Sequence, residues 1–216
     1  MNAKTTILLA LFIGFWAVTI NAQRYNRTPR ENYQNDWSFG AGLNMVDDSG
    51  KPIGGISDPD LYWNFSRPFY VSAEYYLNNK FSFMTMVSFN AYNEGKQIDE
   101  AILLPGEKAD YFAIDLVAKY SLRDLLQTYK FDPYVSLGFG VASIGSFKAL
   151  HYDNGVETLR DVEAKTNFNI VGGFGFNYWF SHTWGLNMNF AGKWNTSSNF
   201  DTNHKQYALG VLYFLN

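Results

Sequence analysis

Cysteine is missing from this sequence, and its absence excludes several kinds of function. None of the 216 residues is a cysteine, so the chain forms no disulfide, offers no thiolate to a metal ion and has no cysteine that could be lipidated after a signal peptide. A nucleotide-binding motif is missing as well, because the Gly-x-Gly pairs lie within alternating strand patterns and not at a strand-to-helix turn. The sequence therefore predicts no bound cofactor.

Charged residues and long apolar runs are also scarce. Only 17% of the residues are charged and the net charge is -3, so no nucleic-acid partner is expected. After residue 22 no apolar run is long enough for a membrane-spanning helix. Aromatic residues are abundant instead, at 19%, and a β-strand that alternates apolar and polar residues can face lipid without a long apolar run.

The N-terminal residues differ from the rest of the chain in composition. Residues 1–22 are predicted to be a secretory signal peptide, because a short apolar run ends at the small residue Ala22. The alternative is a membrane anchor, which would need a longer apolar run. Residues 23–35 are predicted to form a polar leader in the periplasm, and residues 36–216 the barrel. The basic residues of the leader are candidate contacts with a membrane or periplasmic protein partner, or with anionic lipid headgroups: Arg24, Arg27 and Arg30.

The clearest structural pattern lies between Thr166 and Trp194. Every second residue of this stretch is apolar and mostly aromatic, and the residues between them are chiefly Asn and Gly. Alternation with a period of two on both sides of a short turn at residues 181–183 predicts two antiparallel strands joined as a hairpin. Large apolar residues on one face and small polar residues on the other suit a strand with lipid outside and a narrow interior.

The same alternation recurs along the chain and gives eight strands. They are Trp37–Val46, Phe69–Leu77, Phe81–Tyr92, Tyr111–Leu122, Tyr134–Ser146, the two strands within Thr166–Trp194, and His204–Leu215. Short turns alternate with long loops at residues 47–67, 93–109, 147–165 and 195–203, while residues 123–132 form a medium link with a predicted helical turn. This pattern predicts an all-β fold, an eight-stranded antiparallel transmembrane up-and-down β-barrel in the outer membrane, with both mature termini in the periplasm. A soluble barrel is disfavoured because its binding cavity would need apolar inward residues.

The predicted interior holds few charges, and we expect them to pair. The inward set consists of Gly, Ser and Asn, the tyrosines Tyr76 and Tyr92, and four charged residues that form a candidate lumen network: Glu74, Asp115, Lys119 and Lys193. An unpaired buried charge is costly, so each lysine is expected to lie beside a carboxylate. Eight strands enclose an interior that side chains can fill, and the sequence therefore predicts a plugged lumen.

Aromatic residues stand at both ends of the outward rows. They predict a girdle at each membrane interface, in contact with outer-membrane lipid and lipopolysaccharide. Its predicted members are Trp37, Phe69, Tyr75, Phe81, Phe89, Phe112, Tyr120, Phe168, Tyr178, Trp184, Trp194, Tyr207 and Tyr213.

Several segments together resemble OmpA-type outer-membrane barrels. They are WSFGAGLNMVDDSGKP at residues 37–52, SRPFYVSAEYYLNNKFSF, YFAIDLVAKYSL, FDPYVSLGFG and GFGFNYWFSHTWGLN. The resemblance implies an eight-stranded barrel that the outer-membrane assembly machinery inserts, with no catalytic residues in the barrel. Members of the family usually continue into a peptidoglycan-binding domain, whereas this chain ends after the eighth strand, so a wall-anchoring role is not implied.

The pattern and the resemblance favour a structural or accessory barrel that is not an enzyme and contacts partner proteins through loops, leader or barrel wall. One alternative is a small passive channel. A second alternative is a lipid-modifying enzyme, for which His204 is the candidate because it lies near the outer rim. The alternation, however, directs the His204 side chain inward, away from acyl chains.

The first long loop offers oxygen atoms that would suit Ca²⁺, from Asp47, Asp48, Asp58 and Asp60. Their spacing is not that of an EF-hand, and no metal site is predicted.

Overall fold

Eight long strands pair with their sequence neighbours and close into a barrel. The computed structural model describes residues 35–48, 63–98, 101–128, 130–153, 156–196 and 203–215. The barrel strands are β1 (Asp36–Asp47), β3 (Ser66–Tyr76), β4 (Phe81–Tyr92), β7 (Ala109–Ser121), β8 (Phe131–Ile144), β11 (Lys165–Trp179), β12 (Trp184–Asn195) and β13 (His204–Leu215). All pairings are antiparallel, and β13 pairs with β1 from Trp37↔Leu215 to Asp47↔Lys205. The predicted eight-stranded up-and-down barrel is confirmed.

Alternating exposure explains why these sequences form these strands. Along β7, buried and exposed residues follow each other strictly from Ala109 to Tyr120, as the period of a pleated strand requires. Closure satisfies the backbone N–H and C=O groups of the strands with one another, which a barrel in lipid requires.

Two connections that were predicted to be loops contain strands. Residues 93–109 include β5 (Gln97–Ile98) and β6 (Ala101–Leu103), and residues 147–165 include β9 (Phe147–Asp153) and β10 (Val156–Val162). These four strands form a second sheet in the order β10-β9-β6-β5, which we call the cap sheet. Its inner face packs on the barrel mouth at the long-loop end. The prediction that residues 93–109 and 147–165 form loops was therefore wrong where these strands lie.

The first long connection also differs from its prediction. Residues 63–64 form a two-residue strand, β2 (Trp63–Asn64), which pairs with the end of β1. The strand β3 begins at Ser66, and its register shifts between Ser66 and Phe69. Such a bulge inserts extra residues into one strand of a pair, and a sequence pattern that starts at Phe69 overlooks it.

The opposite end of the barrel carries the short connections. Asn78 accepts backbone hydrogen bonds from Lys80 and Phe81 at 2.9 and 3.0 Å, and the Ser181 hydroxyl likewise accepts one from the backbone of Trp184 at 2.8 Å. The link between β7 and β8 contains a helical turn, α1 (Arg123–Leu126), as predicted. Among the described residues, no helix is long and apolar enough to cross a membrane.

Some predictions fall on residues outside the described ranges. They are the signal peptide at residues 1–22, the three arginines of the leader, and Asp58 and Asp60 of the first loop.

Candidate functional site

The lumen contains a buried ion pair near the short-turn end. Lys119 Nζ lies 2.7 Å from Glu74 Oε2, and the two side chains are only 3% and 4% exposed. The Ser82 hydroxyl donates to the other oxygen of Glu74 at 2.6 Å, and the Lys119 ammonium lies 3.8 Å from the centre of the Tyr134 ring. Glu74 therefore has a charge partner and a neutral donor, and Lys119 has an aromatic face.

Asparagines extend this lower network across the lumen. The Tyr134 hydroxyl accepts hydrogen bonds from the side-chain amides of Asn187 and Asn189, both at 3.0 Å. Asn187 also donates to Asn177 at 2.7 Å. A Cβ at Gly175 would clash with the backbone oxygen of Met188 and would meet the Tyr134 hydroxyl at 2.6 Å, so glycine is required where the two strands and the tyrosine come this close.

A second buried ion pair lies nearer the long-loop end. Lys193 Nζ lies 2.7 Å from Asp115 Oδ2, with exposures of 0% and 7%, and it also donates to the Tyr111 hydroxyl at 3.2 Å. The same hydroxyl lies 2.8 Å from His204 Nε2, so β7, β12 and β13 are linked through one tyrosine. The structure thus places each of the four predicted lumen charges inside the barrel and brings them together as two separate pairs.

An apolar layer separates the two ion pairs. The row of cross-strand neighbours that starts at Glu74 and ends at Lys193 passes through Met84, Val117, Gly138 and Val171. Tyr70, Met86 and Ala208 join Met84, Val117 and Val171 in one buried cluster. The sequence analysis expected small polar and charged residues inward, together with Tyr76 and Tyr92, and it missed this layer.

Each end of the barrel is also filled by large side chains. At the short-turn end Tyr76, Trp179, Leu212 and Phe214 form a buried cluster, with the Trp179 and Phe214 rings 5.8 Å apart. At the other end the cap sheet contributes Ile98, Leu103, Phe147 and Ala149 to a core shared with the barrel residues Val46, Tyr92 and Tyr111. Side chains therefore fill most of the described lumen, and a small cavity remains at the short-turn end beside Glu74, Lys119 and Tyr134.

The outer wall carries the predicted girdle residues. At the short-turn end three pairs of ring centroids each lie 5.0 Å apart: Trp37–Tyr75, Phe81–Tyr120 and Trp184–Tyr213. At the long-loop end Phe89 contacts Phe112 at 5.2 Å, and Phe190 contacts Tyr207 at 5.3 Å. The other predicted members also lie on the outer face: Phe69, Phe168, Tyr178 and Trp194. Aromatic pairs at these separations add to the stability of the wall.

The residues considered above as candidates for catalysis or for metal binding contact other side chains of the barrel. His204 is buried in the lumen against Tyr111, and so it does not reach the outer wall where a lipid-cleaving group would stand. Asp47 lies 3.0 Å from Lys205, and Asp48 accepts from the Tyr92 hydroxyl at 2.8 Å. Within the described ranges no group of three or more His, Asp or Glu residues could hold a metal ion.

Two solved structures share this architecture with the chain. The outer membrane protein OprG from Pseudomonas aeruginosa is similar with a TM-score of 0.52 and 14% identity, over 85% of this chain and 97% of OprG. Neisserial surface protein A is similar with a TM-score of 0.50 and 13% identity, over 85% of this chain and 99% of that chain. No known family model matches the sequence, and no curated protein matches it. At these identities the likeness shows the fold, which is that of the eight-stranded outer-membrane β-barrels.

Proposed function

We propose that this protein is a closed outer-membrane barrel with a structural or accessory role, which serves partner proteins and does not itself form a pore. The observation that carries the proposal is an apolar, exposed wall around a lumen filled with side chains. An exposed apolar surface of this kind needs lipid or a partner to cover it.

The height of the apolar wall supports a membrane location. Phe168 and Tyr178 lie at the two ends of the outward row of β11, ten residues apart. At about 3.3 Å per residue and a strand tilt of about 40°, their separation along the barrel axis is about 25 Å. This matches the apolar band of about 25 Å in outer-membrane barrels.

The two ends of the barrel suggest an orientation. Outer-membrane barrels have short periplasmic turns and longer extracellular loops, so the turns at Asn78 and Ser181 would face the periplasm and the cap sheet the outside. Both mature termini would then be periplasmic, because β1 begins and β13 ends at the short-turn end. The arginine-rich leader would be available to a periplasmic or membrane partner, and the cap sheet to an extracellular one.

Filling of the lumen favours the accessory role over the passive channel. Two buried ion pairs, the apolar layer between them and the clusters at both ends occupy the interior. An ion crossing the apolar layer would lose hydration, at a cost that is of order 20 kcal/mol in a dry medium and still several kcal/mol after relaxation. The alternative channel would need an aqueous path past these side chains.

The deciding experiment is purification of the tagged full-length protein from its own membranes in a gentle detergent, followed by mass spectrometry. A stoichiometric companion supports the accessory role, and cross-links then identify the leader, the cap sheet or the wall as the contact. A clean monomer that conducts ions steadily in a planar bilayer would overturn the proposal in favour of the channel. A clean monomer that does not conduct would restrict it to a free-standing structural barrel.

A further inference from the structure

The link between β7 and β8 exposes two leucines at the short-turn end of the barrel. Leu125 is 78% exposed and Leu126 is 53% exposed, and both lie on the helical turn α1. The turns at residues 78–80 and 181–183 carry polar residues instead, Asn-Asn-Lys and Ser-His-Thr. Single exposed leucines are common on protein surfaces, so the direction in which these two point decides whether they form a binding surface.

The outward row of β7 leads directly to these leucines. Exposed side chains alternate along β7 up to Tyr120, and the backbone N–H of Leu122 still donates to the carbonyl of Pro133 at 2.7 Å. Leu122 therefore follows Tyr120 on the outer face, since residues two apart in a strand share a face. The backbone N–H of Leu126 donates to the Leu122 carbonyl at 3.0 Å, and residues four apart lie on the same side of a helical turn. Leu126 thus continues the outward row.

The other side of the turn is fixed to the barrel. Arg123 is buried, and its backbone N–H donates to the Ser121 hydroxyl at 3.2 Å. That hydroxyl in turn donates to the buried carboxylate of Asp132, on β8. Because Arg123 is held at the barrel end, the opposite side of the turn is directed away from the lumen.

Apolar and polar residues occupy opposite sides of this turn. At about 100° per residue, its three leucines fall within an arc of about 100°, and its three polar residues fall outside that arc. We call the apolar side the leucine arc, which consists of Leu122, Leu125 and Leu126. The polar residues are Arg123, Asp124 and Gln127.

The leucine arc is continuous with the lipid-facing wall. Tyr120, a member of the girdle, precedes the link, and Phe131, exposed at the start of β8, follows it. The backbone N–H of Trp179 donates to the carbonyl of Lys130 at 2.8 Å, which holds the end of the link beside the end of β11, where Phe180 is exposed. Lipid that covers the girdle therefore also meets the leucine arc.

We infer that the leucine arc is a phospholipid-binding surface that inserts into the bilayer interface beside the barrel wall. Longer amphipathic helices that lie in this interface bury their apolar side about 5–10 Å into the boundary between headgroups and acyl chains. The arc adds an interfacial anchor on one side of the barrel, and Arg123 holds it to the barrel end. The inference rests on the proposed function only for the leaflet, which is the periplasmic one when the short turns face the periplasm.

The test identifies the medium around single positions of the full-length protein folded in phospholipid vesicles. The chain has no cysteine, so one introduced Cys carries the only spin label. The test variants are Leu125→Cys and Leu126→Cys, the matched control on the polar side is Asp124→Cys, and the lipid reference on the wall is Leu116→Cys. Collisions of each label with oxygen, which concentrates in lipid, are compared with collisions with a water-soluble nickel chelate.

The ratio of oxygen to nickel collisions is expected to be severalfold higher at positions 125 and 126 than at position 124, and close to that at position 116. A ratio at 125 or 126 as low as that of a label in water would overturn the inference. A ratio at 124 as high as at 125 would overturn the direction assigned to the arc, and the inference with it. Exclusion of both reagents from 125 and 126 would also overturn it, because protein, such as a second copy, would then cover the leucines.

A variant without a label checks that the label itself does not cause the insertion. Leu125→Gln/Leu126→Gln preserves a similar helix propensity and removes the apolar contact with lipid. Its unfolding midpoint in urea is expected to fall when the protein is folded in vesicles, because apolar surface in lipid stabilises the folded state. Leu159→Gln, a matched change of an exposed leucine on the cap sheet, is expected to leave the midpoint unchanged. A double variant with an unchanged midpoint would contradict the inference.

The reference at position 116 separates this inference from the proposed function. If nickel reached position 116 as freely as position 124, the wall would lie in water, and both the membrane barrel and the leucine arc would be wrong. If position 116 lies in lipid while 125 and 126 lie in water, the barrel stands and only the inference is wrong. Neither result depends on the orientation in the membrane or on a co-purified companion.

Discussion

The charged residues of the lumen have to be paired to be tolerated there. Replacing Lys119 with Met would leave the buried Glu74 carboxylate with Ser82 as its remaining hydrogen-bond donor. Removing one partner of a buried ion pair typically costs about 3–5 kcal/mol. We therefore expect Lys119→Met to lower the free energy of unfolding by about that much, measured by urea titration of the protein folded in lipid vesicles.

The double variant Glu74→Gln/Lys119→Met is the control for this prediction. It removes both charges together, and replacing a whole buried pair by neutral groups is often close to neutral. The double variant should therefore be more stable than Lys119→Met alone. A single variant as stable as the unchanged protein would mean that Glu74 is not held by Lys119.

The hydroxyl of Tyr111 is predicted to contribute more to stability than that of Tyr70. Both tyrosines are fully buried, but the Tyr111 hydroxyl contacts Lys193 and His204. The Tyr70 hydroxyl has no hydrogen-bond partner among the described residues. Leaving buried polar groups unpaired costs about 1–3 kcal/mol, so Tyr111→Phe should lower the unfolding midpoint in urea clearly. Tyr70→Phe, the matched control, should change it little, and equal effects would contradict the prediction.

At the residue scale, the alternation in the sequence indicates the direction of a side chain and not the partner that it meets. Alternation alone directs Glu74, Asp115, Lys119 and Lys193 inward, because neighbouring side chains point to opposite faces of a strand. It does not tell which lysine meets which carboxylate. Asp115 and Lys193 lie on β7 and β12, which are separated by β8 and β11, so their contact across the lumen depends on the tilt and stagger of the whole barrel.

At the scale of elements, the barrel strands were predictable and the cap sheet was not. The barrel strands are 11 to 15 residues long, and their alternation repeats often enough to be recognised. The strands β5 and β6 have two and three residues. The strand β5 pairs with β6, and β6 pairs with β9, which joins residues that are far apart in sequence. Short strands whose partners lie in another loop leave no periodic signal that a single stretch of sequence could show.

The cap sheet should unfold separately from the barrel when its core is disrupted. Leu103 is 1% exposed within the core under the cap sheet. A carboxylate at this position would be buried among apolar side chains, and its burial would destabilise the cap sheet. We expect Leu103→Asp to speed hydrogen exchange in β5, β6, β9 and β10, while the barrel strands keep their protection.

The control for this prediction is the same substitution on the exposed face of the cap sheet. Leu159→Asp introduces the same group at a position that is 65% exposed, where its charge stays hydrated. Exchange in the cap sheet should then remain as slow as in the unchanged protein. If Leu103→Asp also left it unchanged, the cap sheet would not depend on its shared core with the barrel mouth.

For the whole molecule, the apolar layer predicts that the barrel does not conduct ions. Met84, Met86 and Val117 lie in the buried cluster between the two ion pairs, and an apolar constriction excludes water and therefore ions. The unchanged protein should show no steady conductance of porin size in a planar bilayer. Replacing all three residues by Gly removes side chains from the layer without adding charge, and this variant should leak ions more readily. Steady conductance by the unchanged protein would show instead that the lumen opens, and that the ion pairs at Glu74 and Asp115 line a pathway.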